Sequence, residues 1–163
     1  MTNNRNNRPR YTTLDMIHAL DNGESLDAFE KNFNDELITK PVHVGIYLNE
    51  LLGKYNVKSA SKLSNDSCLD PSYIGLIISG RKKPSREALL CICLTLGTDI
   101  EETQTLLKHS GYPPLYVRNM GDAIIYTGII NHEFLDDVND KLKEKGFAPL
   151  YEEKKNKRNK RHL

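Results

Sequence analysis

Cysteine is scarce in this chain, with three residues among 163. An odd number cannot close a fully paired disulfide framework, and it fits a reducing compartment better. Long apolar runs are missing as well. None approaches the about 18 residues that a bilayer-spanning helix needs, which excludes an integral helical membrane protein. The opening MTNNRNNRPR has no apolar stretch, so a secretory leader is not expected. These absences together predict a cytoplasmic chain with no membrane partner.

Familiar catalytic signatures are also wanting. There is no HExxH, Walker loop, GxGxxG or GxSxG. His18, His43, His109, His132 and His162 have no metal-ligand spacing with one another or with a cysteine. Asp136, Asp137, Asp140 and Glu144 lie along one predicted helix face without the spacing or glycine of an EF-hand loop, and read as a solvated face. Cys91 and Cys93, two apart on a predicted helix, read as small core residues, while Cys68 falls in a turn. The expectation is a protein that is not an enzyme, with no catalytic residue, no metal and no cofactor.

Charge of one sign is not in excess, since 23 Lys/Arg face 22 Asp/Glu for a net charge of +1. That balance hides a segregation. Residues 1–10 carry Arg5, Arg8 and Arg10 and no acid. Residues 11–40 hold seven acids against two bases, and 99–151 nine against five. The stretch between them, 41–98, is basic, and residues 152–163 place six Lys/Arg against Glu152 and Glu153. Local field governs phosphate binding, so a basic middle between acidic flanks matters more than the net value.

Hydrophobic residues make up 38% of the chain, enough for one modest core, and their spacing is helical throughout. Leu14, Ile17 and Leu20 form one short stripe. After Asn22-Gly23, Leu26, Phe29, Phe33 and Leu37 form a second, which Pro41 ends. From Val44 the pattern resumes, with Tyr47, Leu48, Leu51 and Leu52 on one face. Ser59 predicts the cap of a second helix in this stretch, and Asp70-Pro71 opens a third that runs to Ser79 and stops at Gly80. The loop Arg81-Lys82-Lys83-Pro84 follows. Ser85 caps a fourth helix carrying Ala88, Leu89, Ile92 and Leu96. Thr98 with Glu101 is expected to form a capping box for a fifth, over 99–110.

The chain then repeats itself at an offset of 35 residues. DIEETQTLLKHSGYPPLY (99–116) aligns without gaps on FLDDVNDKLKEKGFAPLY (134–151), with six identities. Ala88-Leu89-Leu90 aligns on Ala123-Ile124-Ile125 at the same offset. Residues 84–116 and 119–151 thus read as two copies of a helix, turn, helix, Gly and Pro-Leu-Tyr unit, and two such units gain by stacking. Tyr112, Tyr116 and Tyr151, in the connectors, are expected to cap the small core.

Five short helices with a tight link between the second and third is the order of a helix-turn-helix domain. Here the residues carry a resemblance. LDPSYIGLIISGRKKPSREALLCICLTLG (69–97) resembles the Xre/Cro-type helix-turn-helix family of bacterial and phage regulators. The family pattern is a Ser/Asp-started recognition helix, Gly, a basic loop, Pro-Ser and an Ala/Leu-rich helix ending in Leu-Gly. EETQTLLKHSGYPPLYVRNMGDAIIYTGI (101–129) is similar to a Firmicutes subgroup with a second helical unit ending in Pro-Leu-Tyr. The resemblance implies an all-α fold, a five-helix Xre/Cro-like domain with flanking N-terminal helices and a C-terminal helical-hairpin extension. It divides the chain into a disordered basic arm (1–10), an acidic amphipathic helical segment (11–40), the helix-turn-helix domain (41–116), the repeated C-terminal unit (117–151) and a basic tail (152–163).

The implied function is DNA-binding transcriptional regulation, with double-stranded DNA as partner and a homodimer as the binding form. Arg81, Lys82, Lys83 and Arg86 would grip phosphates. Ser59, Ser72, Tyr73 and Leu76 complete the expected DNA-binding set, with Ser72 and Tyr73 nearest the bases. The groove-facing positions depart from the family pattern, however. They are Pro71, Ser72, Gly75 and Leu76, of which Ser72 alone can hydrogen-bond a base edge. Cys68 stands at the turn position that family members often give to Gly. A third helix this apolar equally suits a second reading, a protein-interaction adaptor on the same fold whose acidic flanks bind a protein partner.

Overall fold

In a computed structural model of the chain, the described residues are 11–37 and 43–152. Among them are nine α-helices and no strand, so the chain is all-α there. No helix among the described residues is long and apolar enough to cross a membrane. The chain divides into two compact units between Val42 and His43. The expected arm at 1–10, the Pro41 stop and the basic tail from 153 lie outside the described residues.

The first unit holds α1 (Thr13–Asp21) and α2 (Leu26–Phe33). Thr12 and Asp15 form a capping box for α1, and Ser25 caps α2. Phe29 and Phe33 are buried with their ring centroids 4.8 Å apart, and Tyr11 meets Phe33 edge-on at 5.0 Å. The expected stripe on α1 is present but only partly covered, for Leu14, Ile17 and Leu20 all remain exposed.

The second unit contains α3 (Val44–Lys54), α4 (Ala60–Ser67), α5 (Pro71–Ile78), α6 (Arg86–Leu96), α7 (Ile100–His109), α8 (Met120–Ile130) and α9 (Leu135–Glu144). Its centre is α6, where every residue from Ala88 to Leu94 is buried. A helix apolar all round must be surrounded, and α6 packs on α4, α7, α8 and α9. Cys91 and Cys93 are core residues of this helix.

The second helices of the two copies keep their sequence register in the structure. Helices α7 and α9 begin and end 35 residues apart, and each is followed by a glycine in the left-handed region, Gly111 at φ +76° and Gly146 at φ +77°. The second copy is the outer one. Ile92, fully buried in α6, corresponds to the exposed Thr127 of α8, the polar outer face that a terminal repeat needs.

Two local expectations are corrected. The capping box of α7 is Asp99 with Glu102, not Thr98 with Glu101. Thr98 is buried, and its hydroxyl lies 3.3 Å from the Cys93 carbonyl and 2.9 Å from the Thr103 hydroxyl, so it serves the core and leaves the cap to Asp99. Tyr116 does not cap the core, being 60% exposed. Tyr151 is half-buried and donates its hydroxyl to Asp136 at 2.5 Å.

Candidate functional site

Ser59 caps helix α4, its hydroxyl accepting the Lys62 N–H at 3.3 Å. The link to α5 is three residues long. Cys68 takes a left-handed conformation at φ +60°, an uncommon one for a side chain with a Cβ. Asp70 then caps α5, accepting the Ser72 N–H at 2.8 Å, and Pro71 occupies the first turn, where no N–H is needed. Helix α5 buries Ile74 and Ile77 and half-buries Ile78. Its outward face presents Pro71, Ser72, Gly75 and Leu76, and Leu76 is 37% exposed.

The basic loop is folded onto the end of α5. Gly80 turns the chain at φ +73°, and the Arg81 and Lys82 N–H groups both donate to the Leu76 carbonyl, at 2.9 and 3.1 Å. Two tyrosines brace the loop. The Tyr73 hydroxyl accepts the Ser85 N–H at 3.0 Å, and the Tyr112 hydroxyl donates to the Pro84 carbonyl at 2.7 Å. The Lys82 ammonium lies 5.2 Å from the Tyr73 ring centroid and that of Lys83 4.8 Å from Tyr112, both within cation–π range. Tyr73, expected nearest the bases, is half-buried with its hydroxyl engaged in this brace.

Arg81, Lys82 and Lys83 are exposed, and no carboxylate among the described residues pairs with any of them. Three cations without an ion-pair partner among the described residues thus sit on a loop held at both ends. Arg86 stands apart from this trio. Its Nη2 donates to both oxygens of Asp122, at 3.1 and 3.0 Å, and its Nε is buried without a hydrogen-bond partner among the described residues. Asp122 also accepts the Tyr116 N–H at 2.9 Å, so Arg86 is tied into the joint between the two repeats.

Two glycines let the start of α3 meet this loop. A Cβ on Gly45 would lie 2.3 Å from the Ile78 carbonyl oxygen, and one on Gly80 would lie 2.8 Å from the His43 ring. His43, Val44, Gly80, Lys82, Lys83, His109 and Ser110 consequently line one cavity of about 200 Å³. Sequence spacing did not bring His43 and His109 to the loop, because they come from opposite ends of two helices. The glycine pair that permits this approach was the available signal.

No group of three or more His, Cys, Asp or Glu among the described residues could hold a metal ion. Comparison of the chain with protein-family models, curated proteins and solved structures gives no match.

Proposed function

We propose that this chain is a DNA-binding transcriptional regulator of the Xre/Cro helix-turn-helix type, with α4 as the bracing helix and α5 as the recognition helix. The observation that carries the reading is the trio Arg81, Lys82 and Lys83, without a carboxylate partner among the described residues, on a loop fixed to the end of α5. A fixed cluster of cations beside a helix end positions phosphates without reading sequence. Ser59 and Ser72, exposed at the starts of α4 and α5, add hydroxyls on the same packed helix pair. With Ser72 the one hydrogen-bonding side chain among Pro71, Ser72, Gly75 and Leu76, base discrimination by one copy is weak, and a dimer on two half-sites supplies what one helix lacks. The activity is non-enzymatic and cytoplasmic in this reading.

Fluorescence anisotropy of the full chain on random-sequence duplex DNA across a salt series tests it. We expect affinity to fall steeply with salt. Lys82→Glu with Lys83→Glu should reduce the slope by about one unit for each phosphate that is no longer neutralised. Arg86→Lys, which keeps the charge that meets Asp122, should leave the slope unchanged. A salt-independent or absent interaction overturns the reading.

The exposed Leu76 on an otherwise small, apolar face favours a second reading, a protein-interaction adaptor. In that case Leu76→Asp abolishes partner binding while the lysine reversals are tolerated.

A further inference from the structure

We infer that the cavity between the start of α3, the basic loop and the end of α7 is a seat for one tetrahedral oxyanion, a phosphate group. Its volume of about 200 Å³ holds several waters at about 30 Å³ each, and hence a phosphate with part of its hydration. None of the seven lining residues is acidic, so no lining carboxylate opposes an anion there.

The lining includes donors of the kind a phosphate accepts from. Lys82 and Lys83 contribute ammonium groups with no carboxylate partner among the described residues, each within cation–π range of a tyrosine ring, Tyr73 and Tyr112 respectively. Charge-assisted hydrogen bonds of this kind are the stronger class. His43 Nδ1 accepts the Gly45 N–H at 3.0 Å, which places the ring proton on Nε2, the nitrogen beside Gly80. His109 is held by stacking on Tyr47, with centroids 5.3 Å apart. Ser110 contributes shape only, since its hydroxyl is given to the Leu106 carbonyl at 2.9 Å.

Two sources could supply such a group. A backbone phosphodiester of DNA would deepen the regulator reading, and the inference rests on that reading in this case alone. A free phosphate would fill the same seat without it.

The test is a titration of the full chain with inorganic phosphate at constant ionic strength and pH, followed by NMR of the histidine ring signals. We expect saturable shifts of His43 and His109, with His18 and His132 as unmoved references. The Lys82→Gln, Lys83→Gln double variant should weaken phosphate binding at least about tenfold, the factor expected when even one hydrogen bond to a charged group is removed. Lys62→Gln, on α4, should change nothing. Both lysines are exposed, and an unchanged thermal transition of the double variant confirms that it folds. If a short duplex displaces phosphate, the seat holds a DNA phosphate. If phosphate saturates the site but duplex neither competes nor binds, the seat stands and the regulator reading fails. Shifts that do not saturate, or that the double variant leaves unchanged, overturn the inference.

Discussion

Gln104 and Asn139 accept the equivalent leucine N–H of the two Pro-Leu-Tyr connectors. Gln104 accepts the Leu115 N–H at 2.8 Å and donates to the Leu115 carbonyl at 3.3 Å. Asn139, 35 residues further on, accepts the Leu150 N–H at 2.7 Å and donates to the Tyr151 carbonyl at 3.1 Å. One amide side chain thus closes each unit onto its own helix. Asn139 is fully buried, whereas Gln104 is half-buried. Asn139→Ala would leave the Leu150 N–H buried and unpaired. The expected loss is about 2–3 kcal/mol by urea denaturation, and Gln104→Ala should cost less because water reaches it. Neither change should alter affinity for DNA.

Gly45 and Gly128 mark two close approaches with different remedies. A Cβ on Gly45 would meet the backbone oxygens of Ile78 and Ile77 at 2.3 and 2.6 Å, while one on Gly128 would meet the Val138 Cγ2 at 2.4 Å. Each Gly→Ala change should destabilise the second unit by about 1–3 kcal/mol, as overpacking does. Adding Val138→Ala should recover part of the loss for Gly128→Ala. No side-chain truncation can do so for Gly45→Ala, where the obstacle is main chain. Denaturation midpoints of the single and double variants check both expectations.

Much of the second unit was legible because its helix ends carry strong local chemistry. Ser59, Asp70 and Ser85 each cap the helix they were expected to cap, and Gly80, Gly97 and Gly111 each sit at positive φ where a helix was expected to stop. The repeat was legible from its Leu, Gly and Pro-Leu-Tyr positions. What escaped depends on tertiary placement. Thr98 and Asp99 are both able caps, and burial of Thr98 decided between them. Arg86 follows the basic loop in sequence, yet its place in α6 turns it toward Asp122 in α8. The Gln104 and Asn139 clamps escaped because the two residues differ in type and their role appears only once the connectors fold back.

Glu102 links stability to pH at the junction of α3 and α7. It accepts hydrogen bonds from the Lys54 ammonium, from the Tyr55 hydroxyl at 2.6 Å and from the Asp99 N–H at 3.1 Å. Burial pushes its pKa up, but these bonds together outweigh burial and hold the carboxyl below its ordinary value of 4.5. A folded pKa below the unfolded one gives stability that is fully present above the unfolded value. That stability is lost as pH falls through the folded value. Wild type should therefore exceed Glu102→Gln in stability near neutral pH. The gap should narrow as pH falls below about 4.5, as read by urea denaturation of both proteins across the acid range. A gap that stays constant with pH would show that Glu102 contributes through packing alone.

The three cysteines should separate by reactivity. Cys91 and Cys93 are buried in α6, where burial pushes their thiols up to about 12 and about 11. The thiolate is the reactive form, so both should be inert near neutral pH for want of charge as well as access. Cys68, in the left-handed turn before α5, is exposed. Iodoacetamide at about pH 8, close to the ordinary thiol range, should add a single group to the native protein, at Cys68, by mass spectrometry. All three thiols should react in denaturant. Modification of Cys91 or Cys93 at the rate of Cys68 in the native protein would show that α6 opens to solvent, and would remove the helix on which both repeats are packed.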